Sequence, residues 1–236
     1  MKRLFIALLL LACVALALNV KGGRLAQNTT WTPADNPVIL TGNVEVPDSL
    51  TLRIEAGTLV KFDGYFHILV HGTFQALGEA GREIEFSSNR ENPGTDSWEG
   101  LIFYGEASKG TLVYCRVRHA FRNFLWKSSP LIQHCTFTGN NYALYCSYSK
   151  TAKILDNVFT KNNFGIYCDF SSPIIQKNKI TGNGYGLYCI LSSAPVVGEN
   201  EITANTDKDI YMDESMGKNQ SENINNHVWD LMKGLF

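Results

Sequence analysis

The chain repeats one short phrase three times. The segment NNFGIYCDFSSP, residues 162–173, returns 21 residues later as NGYGLYCILSSAP and is preceded 22 residues earlier by NNYALYCSYS. Aligned from Leu131, the sequence divides into four units of 21 to 23 residues. A unit of this length cannot bury its own apolar residues, so such units stack on their neighbours as a solenoid.

Each unit reads as short strands joined by turns. Apolar residues alternate with polar ones, as in NKITGN, and Gly, Asn, Ser or Pro ends each run before it reaches helical length. Strands that recur at a fixed period with their faces in register predict the coils of a parallel solenoid. The aligned apolar columns are Ile132, Ile154, Ile175 and Val197, and Phe137, Phe159, Ile180 and Ile202.

Asparagine and cysteine also keep fixed positions in the repeat. The asparagine column, Asn140, Asn162, Asn183 and Asn205, predicts a turn, because asparagine tolerates the left-handed backbone conformation and its amide can bond from coil to coil. The cysteine column follows an inward apolar residue by two positions, so we predict a buried, reduced thiol stack. Its members are Cys146, Cys168 and Cys189.

Several segments together carry a family resemblance. NPVILTGNVEVPDSLTLRIEAGTLVKFDG, GTFQALGEAGREIEFSS, WEGLIFYGEASKGTLVYCRV and the later asparagine-rich units resemble the right-handed parallel β-helix repeat family of the pectin-lyase-like superfamily, over residues 36–214. The resemblance implies an all-β fold, a single-stranded right-handed parallel β-helix with coils of about 22 residues. Members of this group include polysaccharide lyases and hydrolases, surface proteins and metal-centre maturation factors, so the resemblance leaves the activity open.

The two ends of the chain differ from the repeat. The opening MKRLFIALLLLACVALAL has two basic residues, a short apolar run and a small-residue triplet, which predicts a signal peptide at 1–17 and an exported protein, periplasmic, extracellular or on the cell surface. A lipoprotein site at Cys13 is the alternative. We predict a lead-in at 18–35, the β-helix at 36–214 and a C-terminal cap at 215–236, where apolar residues take helical spacing. The mature chain is predicted to have no membrane span, and a net charge of −1 argues against nucleic acid as a partner.

No catalytic, metal or cofactor site is predicted. The outward charges alternate in sign from coil to coil, as in Lys177 with Glu199 and Lys179 with Glu201, which is typical of cross-strand charge pairs. No nucleophile is visible beside His119. The five histidines are scattered along the chain at His67, His71, His119, His134 and His227.

Charge order indicates where a ligand would bind. No acidic residue occurs between Glu106 and Asp156, whereas seven lysines and arginines do. We predict an anionic ligand at the basic group Arg116, Arg118, His119 and Arg122, because guanidinium groups suit carboxylates and sulfates. The secondary candidate surface is the tyrosine column Tyr145, Tyr167, Tyr188 and Tyr211, whose rings are expected to stack on one another and so to stabilise the solenoid.

The sequence therefore predicts an exported, non-catalytic β-helix protein that recognises an anionic polysaccharide or an acidic cell-envelope partner. A polysaccharide lyase or glycoside hydrolase acting on an acidic polysaccharide is the alternative. A metal-centre accessory protein is the third possibility.

Overall fold

The computed structural model describes residues 17–213, which form 26 strands and one 3₁₀ helix, Pro33–Asp35. The strands of the first half are β1 (Leu18–Val20), β2 (Gly23–Arg24), β3 (Thr29–Trp31), β4 (Val38–Leu40), β5 (Val44–Val46), β6 (Thr51–Glu55), β7 (Leu59–Phe62), β8 (His67–Val70), β9 (Thr73–Leu77), β10 (Ile84–Ser88), β11 (Gly100–Tyr104), β12 (Lys109–Val113) and β13 (Cys115–Arg118). Those of the second half are β14 (Arg122–Trp126), β15 (Leu131–Gln133), β16 (Thr136–Thr138), β17 (Tyr142–Ser147), β18 (Lys153–Leu155), β19 (Val158–Thr160), β20 (Phe164–Asp169), β21 (Ile174–Gln176), β22 (Lys179–Thr181), β23 (Tyr185–Ile190), β24 (Val196–Gly198), β25 (Glu201–Thr203) and β26 (Lys208–Met212).

Each strand pairs in parallel with the strand three positions later in the chain, so the chain winds through three sheets. The first sheet runs from β1 to β25, the second from β2 to β26, and the third from β3 to β24. The predicted all-β parallel β-helix with coils of about 22 residues is confirmed. The predicted lead-in, residues 18–35, supplies β1 to β3 and so contributes a strand to each sheet. The predicted signal peptide, apart from Ala17, and the predicted cap lie outside the described residues. Within residues 17–213 no helix is long and apolar enough to cross a membrane.

The inward side chains form one continuous core between the sheets. Phe137 and Phe159 stack with their ring centres 5.1 Å apart, as their column predicts. Cys146, Cys168 and Cys189 are fully buried, adjacent in register and free of disulfide bonds, which confirms the thiol stack. A hydrogen bond with the Cys168 thiol, and then burial, raises the pKa of Cys146 well above its usual value, so its thiol is neutral.

The predicted asparagine turn is present, but the left-handed residue is a different one. The backbone φ is positive at Gly139, Lys161, Gly182 and Ala204, each of which directly precedes an asparagine of the column. That residue turns the chain, and the asparagine side chain then points inward, where the amide bonds the next coil. Glycine, lysine and alanine all occur at the turning position, so the sequence marks it poorly.

Candidate functional site: the basic coil and the aromatic face

The four residues predicted to bind a ligand do not share one surface. Arg116 and Arg118 lie on β13 in the first sheet, whereas Arg122 begins β14 in the second sheet. His119 lies at the corner between the two strands, in a left-handed conformation with φ of 66°. The structure therefore separates Arg122 from the two arginines of the first sheet.

Carboxylates of the preceding coil neutralise the arginines of the first sheet. Arg118 Nη2 lies 2.7 Å from Glu85 Oε1, and Lys61 Nζ lies 2.6 Å from the same oxygen. Arg116 Nη2 lies 3.4 Å from Glu83 Oε1. The stretch that contains these arginines has no acidic residue of its own, but parallel pairing brings acidic partners to them from β10 and from the residue before it. Their predicted role in ligand binding stays a prediction.

Both of these carboxylates are ionised at neutral pH. Burial alone would raise the pKa of Glu85, but hydrogen bonds from Lys61 and Arg118 outweigh it and lower the pKa below its ordinary value. The pKa of Glu83 is also lowered, chiefly by its own backbone amide and further by Arg116. A general acid for glycoside cleavage must keep its proton near neutral pH, so neither carboxylate suits that role.

His119 has a hydroxyl partner that the sequence did not reveal. Its Nδ1 lies 3.0 Å from Ser87 Oγ, so the expectation that no serine accompanies this histidine is wrong. Burial, and then the charge of Arg118, lowers the pKa of His119, which keeps the imidazole neutral at pH 7. Ser87 is only 2% exposed, however, so a polymeric substrate cannot reach its hydroxyl. The pair serves as an internal hydrogen bond between neighbouring coils.

Arg122 has no acidic partner within residues 17–213. Its guanidinium carbon lies 4.9 Å from the ring centre of Phe124 and 5.8 Å from that of Phe121. Its Nε is buried and makes no hydrogen bond in this part of the chain. Cation–π contacts thus hold the side chain in place, and the guanidinium group is in no ion pair within residues 17–213.

The tyrosine column lies on the outward face of the second sheet, as predicted. Tyr167, Tyr188 and Tyr211 stack with ring centres 5.1 and 4.4 Å apart, which confirms the expected stacking for these three. Tyr145 departs from the stack, because its ring is inclined by 64° to that of Tyr167. The expectation of one uniform stack is therefore wrong at its first member.

A second aromatic column, missed in the sequence, runs beside the first. Tyr142, Phe164 and Tyr185 are in register on β17, β20 and β23 and stack at 4.7 and 5.1 Å. Arg122 precedes this column and Lys208 follows it in the same register. We call the two columns together with Phe124 the aromatic face: Phe124, Tyr142, Tyr145, Phe164, Tyr167, Tyr185, Tyr188 and Tyr211.

A small residue in each strand makes room for two outward aromatic columns. Tyr142 and Tyr145 are three residues apart, so on a regular strand they would point to opposite sides. The two residues between them, Ala143 and Leu144, are both buried. In the next strand of this sheet, the position of Ala143 is taken by Gly165. A Cβ on Gly165 would lie 2.6 Å from the oxygen of Gly186, so the backbones approach closely here. The alternation of Ala or Gly with a bulky residue in NYALYC and NFGIYC is the signal that could have revealed the second column.

The aromatic face presents ring edges and hydroxyl groups to the solvent. Rings within a column stack face to face, and rings of different columns meet edge to face, as in Tyr142 with Tyr167 at 89° and Phe164 with Tyr188 at 83°. Burial raises the pKa of Tyr167 to about 12, so its hydroxyl is protonated at physiological pH. Such a face binds by hydrogen bonding more readily than by ring stacking.

The carboxylate of Asp169 borders the aromatic face. Asp169 Oδ2 accepts hydrogen bonds from the Tyr145 hydroxyl at 3.1 Å and from the Ser147 hydroxyl at 3.3 Å. Burial, and then Asp169, raises the pKa of Tyr145 well above its usual value. Asp169 Oδ1 is buried and has no partner among the described residues. Asp169 therefore acts on this face through Oδ2, which holds the hydroxyls of Tyr145 and Ser147 in place.

Comparison with known proteins gives one match. Residues 102–236, more than half of the chain, match the family model described as periplasmic copper-binding protein (NosD). Searches of curated proteins and of solved structures found no match.

Proposed function

The chain belongs to the NosD family, and on that premise we propose that it is a non-catalytic periplasmic protein that recognises a uronate-bearing glycan on its aromatic face. The family is periplasmic, in agreement with the predicted export. The proposal narrows the anionic polysaccharide expected from the sequence to one with carboxylate groups. A planar guanidinium group and a carboxylate match each other through two parallel hydrogen bonds.

The observation that carries the proposal is that Arg122 is held by aromatic rings and is in no ion pair within residues 17–213. Of the three arginines predicted to bind a ligand, Arg116 and Arg118 are in ion pairs, and Arg122 is in none within residues 17–213. Phe124 and Phe121 fix its position at one end of the aromatic face. A carboxylate on a glycan would supply the missing partner.

The rest of the aromatic face suits the hydroxyl groups of a sugar chain. Coils repeat at about 4.8 Å, close to the step of an extended glycan. Asp169 lies two coils beyond Arg122 and holds the Tyr145 hydroxyl in place, so that this hydroxyl and those of the other tyrosines are available to sugar hydroxyls. A uronate unit at Arg122 would therefore place the following units along Tyr145 and Tyr167 toward Asp169.

The carboxylates near the basic coil support binding without cleavage. Glu83 and Glu85 are held ionised by their partners, and Ser87 is closed to solvent. A lyase or hydrolase needs an accessible acid or base with a pKa suited to proton transfer. The ionised carboxylates and the buried Ser87 therefore favour a binding protein over the polysaccharide-cleaving alternative.

Copper, the metal in the family description, has no matching ligand set in the described residues. Copper sites use imidazole nitrogens or soft sulfur ligands gathered around one ion. Within residues 17–213 no three His, Cys, Asp or Glu side chains are placed to share a metal. His67 bonds Glu99 at 2.7 Å, His119 bonds Ser87, and the thiols are buried. We therefore derive no copper chemistry from this part of the chain.

The test is a glycan array with the purified mature protein, followed by titration with oligogalacturonate and with a neutral glucan of equal length. We expect binding of the acidic chain and no rise in ultraviolet absorbance from unsaturated products, with or without calcium. Tyr145→Phe removes the hydroxyl bond to Asp169 and is expected to weaken binding several-fold, by about 1 kcal/mol. Equal binding of the neutral glucan, or release of shorter products, would contradict the proposal.

A further inference from the structure

A groove crosses the corner between the second and third sheets, beyond the ends of β14 and β17. Its larger part, about 670 Å³, lies over β12, β15 and β18, and a hollow of about 360 Å³ continues it around the corner. Both parts share Glu106, Ser129 and Thr151. We call this feature the lysine groove, after the four lysines that line it: Lys109, Lys127, Lys150 and Lys153.

The lysine groove concentrates uncompensated positive charge. All four lysines are exposed, and none takes part in an ion pair within residues 17–213. Glu106 is the one acidic side chain in the lining of the groove. Four ammonium groups against one carboxylate leave a local excess of positive charge in a concave site, which raises the concentration of anions there.

Hydroxyl groups accompany the lysines. Ser108 lines the groove with 4% of its surface exposed, and its Oγ is buried without a hydrogen-bond partner among the described residues. The hydroxyls of Thr151 and Ser129 bond each other at 2.9 Å on the rim. Lys127 is held with its Nζ 4.6 Å from the ring centre of Trp126, which positions its charge at the corner. The groove thus combines exposed ammonium groups with hydroxyl groups.

We propose that the lysine groove binds the sulfate or phosphate groups of a polyanionic glycan. Ammonium groups act as point charges that approach a tetrahedral oxyanion from several directions, whereas the paired bonds of a carboxylate are better served by arginine. The groove is long and open, so it accommodates a polymer with charges at intervals. This site shares no residue with the aromatic face, so its proposed role can be tested independently of the function proposed above.

The experiment is a titration of the full mature protein with dextran sulfate, with neutral dextran as the blank. Lys109→Gln combined with Lys153→Gln is expected to weaken dextran sulfate binding about tenfold or more at low salt, and the effect should shrink as salt screens the charges. Glu106→Gln is expected to tighten binding, because it removes the opposing charge.

The matched control is Lys177→Gln combined with Lys179→Gln. These lysines are exposed too, but each pairs with a glutamate, Glu199 at 3.8 Å and Glu201 at 3.1 Å. We expect binding by this control to stay within about twofold of the parent. Circular dichroism checks that all variants fold.

Three outcomes would overturn the proposal. The first is the absence of dextran sulfate binding by the parent protein. The second is an equal loss in the Lys177 and Lys179 control, which would show binding by overall charge. The third is preferential binding of phosphatidylglycerol vesicles over dextran sulfate with the same lysine dependence, which would assign the groove to a lipid headgroup.

Discussion

The later coils, residues 131–212, and the earlier coils, residues 18–126, differ in the side-chain hydrogen bonds that hold their corners. In the later coils, buried asparagines bond one another across the coils, as Asn140, Asn162 and Asn183 do at 2.8 to 2.9 Å. In the earlier coils single asparagines bond backbone groups, as Asn28 does with the amide of Thr51, and Asn36 with the amide of Leu59 and the oxygen of Gly57. The later coils are thus built from a repeated bond and the earlier ones from individual contacts.

The cores differ in the same sense. The earlier coils close around large rings, with Phe62 and Trp98 stacked 3.9 Å apart and the indole nitrogen donating to the backbone oxygen of Arg118 at 2.7 Å. The later coils use Ile, Phe and Cys in fixed columns. In the later coils the corners are bonded from within, and the outward face of the second sheet carries the two aromatic columns, whereas Arg122 and Phe124 at one end of the aromatic face belong to the earlier coils. The comparison teaches that a repeated bond inside the corners goes together with regular columns on the outer surface.

The largest expected effect is at the centre of the asparagine column. Asn162→Ala removes four hydrogen bonds and leaves buried partners unsatisfied, so we expect the free energy of unfolding to fall by about 3 kcal/mol. Asn28→Ala in the earlier coils should cost about 1 kcal/mol or less. Urea denaturation measures both. Asn163→Ala, next in sequence but exposed, is the control, and a loss there equal to that of Asn162→Ala would break the comparison.

A glycine substitution comes next in size. Gly165→Ala in the later coils is expected to cost about 1 to 3 kcal/mol by overpacking, because the added Cβ meets the oxygen of Gly186. Gly105→Ala in the earlier coils meets no atom within 4 Å, and its φ of 94° makes the cost conformational and about 1 kcal/mol. Near-ultraviolet circular dichroism should change for Gly165→Ala alone. An unchanged aromatic signal would show that the small residue does not set the aromatic face.

Acid should destabilise the protein through two residues of the earlier coils, Glu85 and His119. The folded-state pKa of Glu85 is lowered, so its contribution to stability is present above the unfolded value and is lost as pH falls through the folded one. The pKa of His119 is lowered as well, so the unfolded chain takes up a proton first as pH falls below about 6.5, which also favours unfolding. We expect the urea midpoint to fall from pH 7 toward pH 4, and less so in Glu85→Gln and His119→Gln. If both variants showed the same pH dependence as the parent protein, this account would be contradicted.

The smallest effect is expected at the exposed charge pairs of the later coils. Lys179 Nζ lies 3.1 Å from Glu201 Oε1, which confirms the pairing predicted from the sequence. Lys179→Ala should change the free energy of unfolding by less than about 0.5 kcal/mol, because solvent screens the pair. A double-mutant cycle with Glu201→Ala measures the coupling, and a coupling above 1 kcal/mol would mean that surface charges also support the later coils.

The sequence was sufficient for the fold because period and alternation are local signals. The columns of Ile132, Phe137 and Cys146 fixed the inward face, and the structure has them there. The partners of Arg116 and Arg118 were not predictable in the same way, because Glu83 and Glu85 lie about 33 residues earlier, in irregular coils with no repeat to align. The lysines of the lysine groove could be noticed in the sequence, because they lie in the stretch without acidic residues. The sequence did not show which lysines and arginines of that stretch form ion pairs in the fold.

The central claim is that recognition depends on the unpaired Arg122 rather than on the paired arginines of the first sheet. Calorimetric titration with oligogalacturonate compares Arg122→Ala with the double variant Arg116→Ala and Arg118→Ala. We predict that the single variant loses about tenfold or more in affinity and that the double variant loses less. The reason is that Glu83 and Glu85 already pair with the guanidinium groups of Arg116 and Arg118 in the parent protein. A larger loss in the double variant, with Arg122→Ala close to the parent, would contradict the account and move the site to the first sheet.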